Sequence, residues 1–436
     1  MTGDVSAGEG GSHGASRPHS DPALAHGWPI PPSCLHEVFN LVEAREAATG
    51  RRCVRLHVGE PQFGPPAEVV EALVRAVREG RTQYGSVQGL LELRTALVAK
   101  LQARNGIRTS EDNVFVCPGS TQGLAAVMRS LAGPGAGILI PSIHWPIYLQ
   151  QSIMSGLEPV FYPLDAGYRV DVDAVARAAT PGVRVLLVNS PANPTGAILD
   201  ARTRAALLEL ARSRGWMVIS DEAYEDFVYD GDHGSMAALE QDCPEASRRV
   251  FSVFTFSKSH AMTGYRLGYI VTPNGEAAAA LRAVQEASIV APSTPVQVAG
   301  LGALGLDEGL RERCRQMRAT RDRLLGPLVE DGLLEELPRG GWYALLNVAR
   351  AGVEASRFAA ALLDRHDVAV APAAGFALRP VRSAADGRPT FAPDPAASHL
   401  VRIAFCGDPA DLERGIAHLR AMIAEDGSGI HGVQPR

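Results

Sequence analysis

The chain has 436 residues, 46% of them apolar, and a net charge of −6 with the two signs interspersed. That length suits a large α/β domain with a smaller companion, and the lack of a basic stripe argues against a nucleic-acid partner. No segment approaches the roughly eighteen uninterrupted apolar residues of a membrane span, and no cationic-then-apolar leader opens the chain, so a cytoplasmic protein away from membranes is expected.

Residues 1–28 are rich in Gly, Ser, His and Pro without apolar periodicity and read as a disordered tail. The segment 30-IPPSCLHEVFNLVEAREAATG-50 predicts a Pro-initiated helix with Leu35, Val38, Phe39 and Val42 on one face, within an arm over 29–64. Apolar strands then alternate with helical patterns. VRLHV (54–58) precedes a helix over 66–78, NVFV (113–116) a helix after Gly119, and GILI (137–140) another. VRVLLV (183–188) leads to a helix over 201–213, and WMVIS (216–220) leads to DEAY. RVFSVF (249–254) leads to Lys258, and YIV (269–271) to a helix over 275–287.

Short, continuously apolar strands between helices predict a mostly parallel sheet covered by helices on both faces, over 65–310. A long helical stretch over about 295–327 leads into a smaller α+β unit at 311–425, and 426–436 read as a loose tail. The six cysteines are scattered, with no C-x-x-C pair, so neither a zinc site nor a disulfide framework is expected.

Of 42 basic residues only Lys100 and Lys258 are lysines. Lys100, in VAKLQARNG, reads as a solvated helix end without a role. Lys258 stands in 251-FSVFTFSKSHAMTGYRLGYIV-271, where its neighbours form a pattern. A lysine amine can lose its proton and attack a carbonyl; a guanidinium stays protonated and cannot. Thr255 and Arg266 flank it at a spacing that suits a phosphate anchor. Upstream, 117-CPGSTQG-123 follows a strand and opens a helix, whose first N–H groups form an anion site. In 189-NSPANPTG-196 the bland reading is a turn, and Asp221 in 220-SDEAYEDF-227 reads as a helix cap or as a carboxylate at a strand end, where ligands bind.

N-P-x-G, D-E-x-Y and S-K-x(5)-G-x-R-x-G in this order resemble the fold-type I pyridoxal-phosphate enzymes of the class I/II aminotransferase family, over about 35–425. The resemblance implies an aspartate-aminotransferase-like fold with pyridoxal 5′-phosphate as cofactor. It implies that Lys258 holds the cofactor as a Schiff base and moves the substrate's α-proton, while Asp221 pairs with the ring nitrogen. Asn193 and Tyr224 would bond the ring's phenolic oxygen, and Ser120, Thr121, Gln122, Thr255 and Arg266 would surround the phosphate. Trp145, in 141-PSIHWPIY-148, would stack on the ring, or be an ordinary core tryptophan.

Arg402 in LVRIAF and Gly59 in HVGEP match positions near the substrate carboxylate, where Asn193 also lies. Tyr84 in QYGSVQG resembles a tyrosine that reaches the partner subunit's phosphate, which implies a homodimer with the active site at its interface. Amino acids and keto acids would be the substrates. Transamination is expected, with elimination, replacement or cyclisation of an amino-acid-derived metabolite as the alternative.

Two departures stand out: Thr255 replaces a usual serine, and Ala373 replaces the usual glycine after Pro372. The stretch 379–399, with Arg379, Arg382 and Arg388, is longer than the family pattern. It reads either as a solvated loop or as a substrate-facing lid.

Overall fold

The computed structural model describes residues 29–382 and 389–425, so the two expected tails and Arg388 lie outside the described residues. The opening helix spans Cys34–Thr49 and buries Val42 fully. Strand β1 (Val54–Arg55) is shorter than VRLHV predicted, because the chain turns at Leu56–His57.

Seven strands build the main sheet: β2 (Val114–Cys117), β3 (Gly137–Pro141), β4 (Glu158–Tyr162), β5 (Val183–Asn189), β6 (Met217–Asp221), β7 (Val250–Thr255) and β8 (Gly268–Val271). Their spatial order is β2-β8-β7-β6-β5-β3-β4, and β8 alone runs antiparallel to both its neighbours. The pattern missed β4, whose Pro159 reads as a breaker. At the sheet edge a proline is tolerated, since one side of the strand needs no ladder bond.

Alternation along each strand decides which residues reach the site. Phe251 and Val253 of β7, Ile219 of β6 and Leu187 of β5 pack into one core layer. Phe254, Val218 and Val188 pack into the layer on the opposite face. With a period of two, Asn189, Asp221 and Thr255 leave their strands toward the first of these faces.

The expected continuous helix over 295–327 is broken. Helices Thr294–Ala303 and Asp307–Glu330 are separated at Gly305, whose φ of +90° no helix accepts. Beyond them come β9 (Tyr343–Asn347), β10 (Val368–Ala369), β11 (Ala371–Pro372), β12 (Leu378–Arg382), β13 (Pro389–Pro393) and β14 (Leu400–Ala404). β14 lies between β9 and β11, β10 pairs in parallel with β1, and β12 and β13 form an antiparallel hairpin. A third core layer joins Leu325, Trp342, Phe358, Ile403 and Leu419 to Tyr224 and Phe227, so the chain just after β6 packs against the C-terminal elements.

The expectation for Lys100 fails. A π-helical turn, Leu101–Asn105, continues the helix Leu91–Lys100, and the Lys100 side chain is only 11% exposed.

Candidate active site

Parallel β5, β6 and β7 end side by side, with Asn189 in register with Asp221 and Asp221 with Val253. A short helix, Phe256–Ser259, caps β7 and carries Lys258. The resulting cavity of about 170 Å³ is lined by Lys258, Asp221, Tyr224, Asn193, Ser120, Thr121, Trp145, Thr255 and Arg266, nine of the expected residues.

One end of the cavity is built for an anion. Gly119 opens the helix Gly119–Leu131 at φ +76°, and a Cβ there would collide with the Arg266 guanidinium. The guanidinium therefore lies against bare backbone, beside the helix's first N–H groups. Arg266 is fixed by donating from Nη1 to the Thr263 carbonyl at 2.8 Å and to Ser257 Oγ at 3.5 Å. Thr255 donates its hydroxyl to the Leu267 carbonyl (3.3 Å) and accepts from the Ser257 N–H (3.1 Å). Its proton is thereby committed within the protein, which leaves Ser257 as the freer hydroxyl.

The other end presents a carboxylate. Asp221 is 3% exposed and accepts from Tyr148 Oη at 2.6 Å and the Ala223 N–H at 3.1 Å. Burial raises its pKa, opposed by those two donors and by the Lys258 charge. Such a carboxylate favours a cationic group held against it.

Between the two ends, Lys258 Nζ donates to the Gly59 carbonyl at 3.0 Å and lies 5.1 Å from the Trp342 ring and 5.5 Å from the Tyr224 ring. Tyr224 donates to Tyr343 Oη at 3.1 Å, and burial pushes its hydroxyl well above the usual range. A donor-rich anion end, a buried carboxylate and an amine between them fit a phosphate-bearing ring with a protonated nitrogen and a carbonyl. The bare backbone at Gly119 lets the Arg266 guanidinium lie beside the anion end of the cavity.

Arg402, on β14, is 2% exposed and lies between the rings of Tyr343 (4.3 Å) and Phe376 (4.7 Å). It donates to Asn193 Oδ1 at 3.1 Å and to the His57 carbonyl, while its Nε has no partner. His57 is held neutral, pushed down to about 4 by burial and then by the Arg402 charge. An arginine so enclosed can accept a carboxylate in its plane.

Gly59 sits where a Cβ would fall on the Tyr343 hydroxyl, so only glycine fits.

Two expected residues stand apart. Gln122 Nε2 donates to Gln285 at 2.7 Å, and its side chain does not line the cavity. Tyr84 is 90% exposed and does not line the cavity of its own chain. Tyr148, Asn189 and Ser257 line the cavity without having been singled out, although each lies inside a quoted motif. Tyr343 also lines it, and GGWYALLN carried no signal for it.

The hairpin β12–β13 leans on the main sheet, with Leu378 and Phe391 packed on the same core layer as Trp145. Arg379 and Arg382 are exposed. Ala373 is fully buried in the turn before that hairpin.

Comparison with known proteins agrees with this geometry. The family described as aminotransferase class I and II matches residues 51–419. An aspartate/prephenate aminotransferase of Thermus thermophilus is 34% identical over 331 residues, 74% of this chain and 84% of that protein. An arginine–pyruvate transaminase of Pseudomonas aeruginosa is 33% identical over 74% of this chain and 81% of its own length. Among solved structures, the aspartate aminotransferase from Thermus thermophilus with maleate superposes at a TM-score of 0.78 with 29% identity, covering 90% of this chain and 97% of that one.

Proposed function

The chain belongs to the class I and II aminotransferase family and is a pyridoxal-phosphate-dependent aminotransferase, and on that premise we propose how its residues divide the work. Lys258 is the amine that would attach the cofactor covalently and, once displaced, would carry the substrate's α-proton. Asp221, held by Tyr148 and Ala223, would hold the ring nitrogen; Asn193 and Tyr224 would bond the phenolic oxygen, and Trp145 would cover the ring. Ser120, Thr121, Thr255, Ser257, Arg266 and the first turn around Gln122 would hold the phosphate. When bound, the cofactor supplies a protonated ring that takes up the electron pair left by the departing α-proton.

Arg402 orients the amino donor by its carboxylate, with Gly59 and Asn193 at the edge of that subsite. The α-hydrogen then points toward the Lys258 amine. Displacement of Lys258 from the cofactor by the incoming amino group would leave its amine free to take the proton and return it one position along. The burial of Tyr224, Tyr343 and Trp342 around it keeps bulk water from competing for the proton.

The working unit is a homodimer, with Tyr84 of each protomer reaching the other's phosphate; its 90% exposure supports this. The protein works in the cytoplasm, a reading supported by six free cysteines. Among the described residues no helix is long and apolar enough to cross a membrane. Residues 65–310 form the cofactor-binding domain, 311–425 the smaller one, and 29–64 the arm joining it.

The observation that carries this reading is the convergence of Lys258, Asp221 and Arg266 on one cavity. Its test mixes the purified, cofactor-loaded protein with single amino acids and no keto acid. Stoichiometric release of a keto acid, with the amino group left on the cofactor, is expected and names the donor. Products formed with the cofactor returned to its starting state would point instead to elimination, replacement or cyclisation.

A further inference from the structure

Both lysines of this chain bear on the same site, although only one lines it. Lys100 Nζ donates to Glu225 Oε1 at 2.6 Å and to Tyr269 Oη at 3.0 Å, and lies 4.8 Å from the centre of the Phe254 ring. Each of those partners is a near neighbour of a site residue. Glu225 follows Tyr224 directly. Phe254 precedes Thr255 on β7, and Tyr269 pairs with Phe254 from β8, three residues beyond Arg266. The two rings are stacked at 4.9 Å.

The acidic pair Glu225–Asp226 extends the connection. Asn105 Nδ2 donates to Glu225 Oε2 at 2.6 Å, so both carboxylate oxygens are held. Asp226 accepts from Ser259, the residue after Lys258, and from Arg104. Arg104 also reaches Asp307 at 3.3 Å, and Arg313 donates to the Ser259 carbonyl at 2.9 Å. Lys100, Arg104, Glu225, Asp226, Ser259 and Tyr269 line a second cavity, about 290 Å³, which shares Thr255 with the cofactor cavity.

We propose that Lys100 is a positioning residue: with Glu225 it locks the turn carrying Asp221 and Tyr224 onto the β7–β8 pair that carries Thr255, Lys258 and Arg266. This rests on the assignment of the cofactor to those residues. The three parts arrive on separate strands, and the last backbone bond between β6 and β7 runs from the Glu222 N–H to the Val253 carbonyl at 3.0 Å. Beyond that point side chains fix their spacing: the Lys100 ammonium with its Glu225 and Tyr269 partners, together with the Asp226–Ser259 bond. A compact ammonium with three donors suits a site bounded by a carboxylate, a phenol and an aromatic face; Asn105 already holds the second Glu225 oxygen, so the two-pronged fork of a guanidinium would go unmatched there. That accounts for a lysine where the chain otherwise uses arginine.

The test compares Lys100→Met with the wild-type holoenzyme in four readings: thermal midpoint, apoprotein Kd for pyridoxal 5′-phosphate, kcat, and KM for the amino donor. Lys100→Met is expected to raise the Kd about tenfold and to lower kcat about tenfold or more, because small misplacements of reacting groups are costly. KM should stay within about twofold, since the carboxylate subsite at Arg402 is untouched. A lower thermal midpoint with unchanged Kd and kcat would make Lys100 an ordinary structural ion pair and overturn the proposal. Should Lys100→Met fail to fold, Glu225→Gln keeps the shape, and the same four readings decide. A wild type that never attaches the cofactor would defeat the underlying assignment instead, and the two failures are told apart by that control.

Discussion

Tyr148 closes a 2.6 Å hydrogen bond from its hydroxyl onto Oδ2 of Asp221, and both groups are buried at the end of β6. The tyrosine offsets part of the burial that otherwise disfavours the ionised carboxylate. Tyr148→Phe therefore raises the Asp221 pKa further and weakens its hold on a protonated ring nitrogen. A hydrogen bond to a charged group contributes about 1.5–3 kcal/mol, so kcat is expected to fall roughly tenfold or more. Stopped-flow and steady-state kinetics at pH 7 check this, and wild-type kcat in the variant would show that the bond does not matter.

Gly59→Ala places a methyl where the Tyr343 hydroxyl sits. Tyr343 must then move away from Tyr224, to which it is bonded, and from the face of Arg402. The variant is expected to lose about 1–3 kcal/mol of stability through overpacking and to show a raised KM for the amino donor. Denaturant melts and donor titrations read the two effects separately.

Arg402→Lys keeps the charge but loses the planar fork that bridges Asn193 and an incoming carboxylate. KM for the amino donor is expected to rise roughly 10- to 100-fold, the loss of one charge-assisted hydrogen bond. Cofactor affinity should not change. Equal losses in both would place Arg402 in the scaffold rather than in the substrate subsite.

Glu222 gives a pH signature unrelated to turnover. It is 1% exposed, its Oε1 accepts from Ser235 (2.7 Å) and Ser252 (2.9 Å), and Oε2 accepts no hydrogen bond among the described residues, with His233 Nε2 3.9 Å away. Burial pushes its pKa from 4.5 up to about 7. The unfolded chain releases this proton near 4.5 and the folded one only near 7, so the folded state loses stability as pH rises between those values. Glu222→Gln removes that loss. The variant is expected to exceed wild type by up to about 3 kcal/mol above pH 7, with the advantage gone below pH 4.5. Thermal melts across that range decide; a gain independent of pH would show that the carboxyl's ionisation is not its source.

Much of the site was legible because it is local. Lys258, Thr255 and Arg266 lie within one strand–helix–strand passage, and Asn193 and Asp221 each follow a buried strand. The apolar runs marked the strands because both sheet faces are covered. What stayed hidden depends on distant partners. Lys100 lies on a helix whose apolar pattern is weak, and nothing near it in sequence announces Glu225, 125 residues away. Tyr343 reaches Tyr224 across 119 residues. The break at Gly305 was missed because the flanking residues keep helical periodicity on both sides. Gln122 sits in the expected helical turn, but its side chain turns to Gln285 across 163 residues.

The adjacency of Asp221 and Glu222 has a bearing on how this protein can change over generations. The two acids point to opposite faces of β6, one to the cofactor cavity and the other to Ser235 and Ser252. Losing one codon within that strand would bring Glu222 into the place of Asp221, a carboxyl on a longer arm, and gaining one would bring Ser220 there instead. The same holds along β5 and β7, each of which delivers its group on one face only. Length variation can therefore accumulate past the strand ends, where the hairpin β12–β13 lies, while inside the strands only substitutions survive. A deletion scan of the gene would find that border as a cliff one residue wide.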